Sequence, residues 1–330
     1  MPPLPTLPPT GNPTAAPTVR PSYLPVLPTP TPSAVPTITP TASPTINDPF
    51  KTTQYNSLSK IKLLESLAMY QGNANVTIAI IDTGVEATHE DLSNKIVSGF
   101  TDFSGSSEKL DPHGHGTHCA GVAAAATNNG IGIVGMAPNA KIMPIQVLNA
   151  AGAGSNASVA AGIMFAADSS AKVLSMSLGG PDDSAAIRTA VNHAISQGKV
   201  MVAAMGNSAL TGNPTSYPAN YSGVIAVGAT DATDIRANFS QYGNHIAVSA
   251  PGVNIYSTFK GNSYSYMSGT SMACPAVAGL AALMLANKPT LTPSEIRTKI
   301  QNGTDDLGST GFDVYFGSGR INVLKTLSNL

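Results

Sequence analysis

"VTIAIIDTGV", residues 76–85, decides how the rest of the chain is read. Its first six residues are apolar or β-branched without interruption, and Asp82 and Gly84 close the run. Such a run is a strand buried on both faces, as found in parallel sheets covered by helices. Similar short runs recur at 142–148 "IMPIQVL", 172–178 "KVLSMSL", 200–204 "VMVAA" and 223–229 "GVIAVGA". Between them lie helical patterns, at 156–168 "NASVAAGIMFAAD" and 184–197 "SAAIRTAVNHAISQ". The alternation predicts an α/β fold: a three-layer, open, mostly parallel sheet with helices on both faces. In such sheets, sites form outside the carboxyl ends of the strands. Asp82 stands at one of these ends, although an aspartate there is also an ordinary turn former or helix cap.

Composition narrows the field. Charged residues are 11% of the 330 and the net charge is −1, so no basic field draws nucleic acid or anionic lipid. No stretch reads as about 18 consecutive apolar residues, so no membrane span is expected. Cys119 and Cys274 are too few for a disulfide scaffold. Residues 1–47 hold 15 of the 26 prolines, ten threonines and one charge, Arg20. Proline fixes φ and lacks an N–H, so an extended polyproline-type linker is expected there, with a globular domain over 48–330. A ligand for a proline-recognising domain is the alternative use of such a tract. The N-terminus has neither a basic nor an apolar leader region.

"DPHGHGTHCAGV", 111–122, brings three histidines within six positions. His113, His115 and His118 read three ways: as metal ligands, as one general base with two neighbours, or as unrelated loop histidines. Spacings of two and three, with no acidic residue following, do not match the usual zinc helix. A helix is expected to start near Thr117, which sets His115 just before its N-terminus. A third element, "SGTSMACPAVAG", places Ser271 at the head of an apolar helix, with Pro275 expected in its first turn. Asp82, His115 and Ser271 thus each fall at the mouth of the same predicted sheet.

"IAIIDTGV", "HGTHCAGV" and "GTSMACPAVAG" resemble the three active-site motifs of the subtilisin-like serine proteases, the subtilases, in that family's order of Asp, His, Ser. The resemblance extends over nearly all of 48–330. It implies a serine endopeptidase with Ser271 as nucleophile, His115 as general base and Asp82 orienting it. Asn207, in "AMGN", matches the side-chain oxyanion donor. Gly152, Ala153 and Gly154, and Ser177, Leu178 and Gly179, match the two edges between which a peptide lies as an added strand. Ala203, Ala204, Met205, Gly206 and Ser216 match the region of the P1 pocket and carry no charge, which implies a broad or apolar P1 preference. Structural calcium is implied too. Asp48, Asp91 and the Asn129 side chain, with the carbonyls of Thr127, Ile131 and Ile133, match an oxygen-only ligand set.

The resemblance further implies protein and peptide substrates, a monomer, secretion to the extracellular space, and a prodomain that this sequence does not display. Two positions depart from the family: Ala276 replaces a usual histidine, and Cys274 a usual Ser or Thr. A cysteine nucleophile is the alternative reading, although neither thiol occupies the serine position. One consequence concerns the linker. A bound substrate must offer strand-like main-chain hydrogen bonds, which proline cannot donate. Prolonged self-digestion followed by mass spectrometry should find few cuts inside 1–47, and rapid laddering there would contradict the reading.

Overall fold

The computed structural model describes residues 46–102 and 106–330. The linker expected over 1–47 therefore lies outside the described residues up to 45. Ile46 is already buried, and Asn47 bonds the loop at 128–130.

The chain forms α1 (Lys51–Lys60), α2 (Leu63–Leu67), β1 (Thr77–Asp82), β2 (Phe100–Thr101), α3 (His115–Ala124), β3 (Lys141–Gln146), α4 (Asn156–Asp168), β4 (Val173–Met176), α5 (Ala185–Ser196), β5 (Val200–Ala204), β6 (Val224–Thr230), β7 (Ile246–Pro251), β8 (Ile255–Phe259), β9 (Ser263–Met267), α6 (Thr270–Asn287), α7 (Pro293–Asn302) and α8 (Val323–Ser328). Seven strands make one sheet in the order β2-β3-β1-β4-β5-β6-β7, every neighbouring pair parallel. The fold is the expected three-layer α/β arrangement. After β3 the chain crosses to the other side of β1 to lay down β4. That reversal opens a crevice at the carboxyl ends of β1 and β4.

The period of two along β1 separates the layers. Ile78 and Ile80 pack with α3 and α6, whereas Ala79 and Ile81 pack with α4 and α5. All six residues of β1 are buried, and each buried Ile contributes about 1.5–3 kcal/mol. Small residues let the layers approach closely. A Cβ on Gly116 of α3 would lie 2.1 Å from the Gly84 carbonyl oxygen, so only glycine lets α3 press against the end of β1. The helices α4 and α5 begin on serine caps, Ser155 and Ser184, each accepting a backbone N–H of the first turn.

One sequence expectation is qualified and another needs correction. By length and composition alone α6 is long and apolar enough to cross a membrane, although it is not a continuous apolar run. It is a core helix: 83% of it is buried within the protein. Pro275 is the sixth residue of α6 and not in its first turn. The helix begins earlier than the nucleophile motif suggested, at Thr270.

The antiparallel hairpin β8–β9 stands apart from the large sheet and is pinned to α3. Ser257 and Thr258 hydroxyls donate to the carbonyls of His118 and Thr117. His118 Nε2 bonds the carbonyls of Ile255 and Ser265, at 3.0 and 3.2 Å. Both acceptors require an N–H there, and Nδ1 is buried without a partner. Burial lowers the His118 pKa to about 4. Its contribution to stability is thus fully present above the ordinary histidine pKa of about 6.5, and is lost as pH falls toward 4. Over that window the loss should reach about 3 kcal/mol. Denaturant melts of wild type and His118→Gln, which keeps a donor but cannot titrate, should show a flatter pH slope in the variant. Equal slopes would refute the assignment.

Candidate active site

The end of β1 delivers Asp82 to the crevice with its carboxylate fully buried. Oδ1 accepts the Thr83 N–H at 2.8 Å and the His115 Nδ1–H at 2.7 Å. His115 is the first residue of α3, two positions earlier than the expected helix start. Gly114, at φ 101°, makes the turn into the helix, and the Asp111 carboxylate satisfies first-turn donors that would otherwise be orphaned. Burial, the largest single influence, acts to lower the His115 pKa, but the Asp82 charge and hydrogen bond together with Cys119 beside the ring outweigh it and raise the value well above the ordinary one. With Nδ1 bonded to Asp82, the other ring nitrogen is left to accept a proton from the cleft.

Ser271, in the first turn of α6, lines the same cavity as His115. Its hydroxyl donates to the Ser177 carbonyl at 3.1 Å and not to His115. Such looseness is common without substrate. Asn207 follows β5, and its orientation is set by its neighbour in space. Its Oδ1 accepts both the backbone N–H and the hydroxyl of Thr270, at 2.9 and 3.0 Å. The side-chain NH2 is thereby the group left for a ligand.

The cavity measures about 610 Å³. Its walls include Gly152, Ala153 and Gly154 on one side, Ser177, Leu178 and Gly179 on the other, and Ala204, Gly206, Asn207 and Ser216. Ala203 and Met205 do not join them. Strand alternation turns both into the core beneath α4 and α5, which corrects the fuller pocket expected from the motif. The three histidines do not converge. His115 bonds Asp82, His113 lines the cavity, and His118 holds the β8–β9 hairpin. Cys119 and Cys274 are free and fully buried. Burial raises both thiol pKa values, that of Cys274 to about 12, which disfavours the thiolate a nucleophile needs.

A second polar cluster lies at the loop 127–133. Asp48 and Asp91 are buried, and neither is in an ion pair among the described residues. Asp48 accepts the N–H groups of Asn128 and Asn129, and Asp91 that of Ile133. The Asn129 side chain lies 3.5 Å from Asp91. Burial pushes the Asp91 pKa up to about 7; the Ile133 N–H opposes this, and the Asp48 charge adds to it. The loop thus turns N–H groups and the Asn129 NH2 toward two buried carboxylates, whose oxygens are the ligand type a hard cation takes.

The model of the subtilase family matches residues 73–319. Thermitase from Thermoactinomyces vulgaris is 43% identical over 281 residues, spanning 85% of this chain and 98% of thermitase. Subtilisin DY from Bacillus licheniformis is 46% identical over 256 residues, spanning 77% of this chain and 91% of its own length. Among solved structures, one titled as proteases from Pseudoalteromonas arctica aligns with a TM-score of 0.78 at 32% identity, covering 86% of this chain and 99% of that one.

Motif reading passed over two residues that hold this site in shape. Thr270 orients Asn207, as described. Asp111, the first residue of "DPHGHGTH", is buried and accepts five hydrogen bonds. They come from the Thr83 hydroxyl (2.8 Å), the N–H groups of His113 (3.1 Å), Gly114 (2.7 Å) and Thr117 (2.8 Å), and the Thr117 hydroxyl (2.7 Å). The available signal was an aspartate shortly before an expected helix start, a residue type whose carboxylate accepts first-turn N–H groups. Asp111→Ala strands these donors. It should destabilise the protein by at least about 3 kcal/mol in urea melts, and a loss under about 1 kcal/mol would show the cluster to be incidental.

Proposed function

This chain belongs to the subtilase family and is a subtilisin-like serine protease; from that premise we propose that Asp82, His115 and Ser271 form its catalytic triad, with Asn207 as an oxyanion donor. The observation that carries the proposal is the 2.7 Å bond from His115 to buried Asp82, beside a cavity shared with Ser271 and Asn207. Rotation of the Ser271 hydroxyl away from the Ser177 carbonyl brings it to His115. Its oxygen attacks the scissile carbonyl carbon as His115 takes the proton. The resulting oxyanion is met by the Asn207 NH2 and the Ser271 backbone N–H. Collapse expels the amine, which receives the proton from His115, and leaves an acyl ester on Ser271. Water then repeats the sequence and frees the acid. Asp82 orients the ring and stabilises the imidazolium throughout.

The substrate main chain would lie between 152–154 and 177–179. Ala204, Gly206 and Ser216 offer no charge to the P1 side chain, which supports a broad or apolar preference. The donor set at Asp48, Asp91, Thr127, Asn129, Ile131 and Ile133 fits calcium, whose part would be to neutralise buried carboxylates and brace the loop. Secretion, a monomeric state and a spacer role for 1–47 complete the reading. The low charge, the Pro/Thr-rich tract and the calcium-type loop support it.

Ser271→Ala should abolish peptide hydrolysis while leaving the melting curve intact, and Asn207→Ala should lower kcat by about 100- to 1,000-fold. Substantial turnover by Ser271→Ala would overturn the assignment. Excess EDTA should lower the melting temperature, because a cation at 100 times its Kd adds about 2.7 kcal/mol. A chelated sample that melts as before would remove calcium from the account.

A further inference from the structure

Pro275 lies four residues after Ser271 in α6. In an unbroken helix, the N–H at 275 would bond the carbonyl at 271. Proline has no such hydrogen, and its ring crowds that carbonyl. The Ser271 carbonyl nevertheless has partners, both from outside the helix. The Ser177 hydroxyl donates to it at 2.8 Å, and the Cys119 thiol approaches at 3.4 Å. In return the Ser271 hydroxyl donates to the Ser177 carbonyl at 3.1 Å. Ser177 and Ser271 thus clasp each other, each side chain on the other's main chain. Ser177 is buried and follows directly on β4, so one end of the clasp is anchored in the sheet.

We propose that the Ser177 hydroxyl is a positioning residue for the nucleophile: it supplies the hydrogen bond that Pro275 withholds and thereby fixes the backbone at Ser271. This rests on Ser271 being the nucleophile. Fixing its carbonyl fixes ψ at Ser271, and with it the direction in which the Cα–Cβ bond projects Oγ toward His115. The oxyanion donors must lie within about 2.7–3.1 Å of the developing charge, so a small tilt at the head of α6 weakens catalysis more than binding. Ser177 also begins one proposed edge of the substrate strand. The same residue would therefore register the bound peptide against the attacking oxygen.

The test is a double-mutant cycle between Ser177 and Pro275, read as kcat and KM on one peptide substrate, with melting curves and with Ser271→Ala as control. Ser177→Ala should lower kcat by about five- to tenfold with KM changed less than about twofold. Ser177→Cys, which keeps a weak donor, should fall between the two. Pro275→Ala restores an N–H to the helix. In that background Ser177→Ala should cost less than about twofold in kcat, because the Ser271 carbonyl is already held. Equal loss in both backgrounds, a loss carried by KM, or Ser177→Cys no better than Ser177→Ala would each overturn the proposal. If Ser271→Ala itself retains activity, the nucleophile reading fails instead, and the two failures are told apart by that control.

Discussion

Helix α6 has almost no face left for water, since Met272 through Leu285 are buried without a break. It packs on β1, β4, β5, β6 and β7 and against α3. An apolar helix of this kind can only lie inside, and a twisted parallel sheet on one side and α3 on the other provide the space. Its N-terminus must then emerge where the strands end. That requirement brings Thr270 and Ser271 to the same crevice as Asp82 and Asn207. The order of the strands places the reversal at β1 and β4, and Ser177 after β4 and Asn207 after β5 bond that helix end directly.

The polar groups brought inside by this arrangement are costly unless matched. Around the site they are matched largely by one another. Asp111 gathers five donors, Asp82 takes Thr83 and His115, and Asn207 is held by Thr270. A chain with 11% charged residues spends few charges in its interior, and buried carboxylates cluster at the two places where chemistry or a cation is proposed. The β8–β9 hairpin connects those places. Tyr264 reaches Glu90 and Asp91, while its cross-strand partner Thr258, with Ser257 and His118, binds the hairpin to α3.

Much of this was legible in the chain. Continuous apolar runs such as 76–81 mark buried strands, and the helix at 156–168 matches its pattern residue for residue. Tertiary context set what was not. Gly114 and the Asp111 carboxylate let α3 begin at His115, two residues before the start expected near Thr117. The hairpin strand "SYSYM" is short and half-exposed, so its alternation carries little signal. Pro275 sits deep in a helix because Ser177 and Cys119, distant in sequence, take up the carbonyl it leaves open. Ala203 and Met205 share a motif with Ala204 and Gly206, but a strand sends alternate side chains to opposite faces.

The central claim is that Asp82, His115 and Ser271 act as one nucleophilic unit. Its most direct test is reaction with a fluorophosphonate followed by mass spectrometry of the digested protein. The account predicts one adduct per chain, on the peptide carrying Ser271, and its loss in His115→Ala despite an unchanged melting curve. An adduct on another residue, or labelling of Ser271 that persists at the wild-type rate without His115, would contradict it.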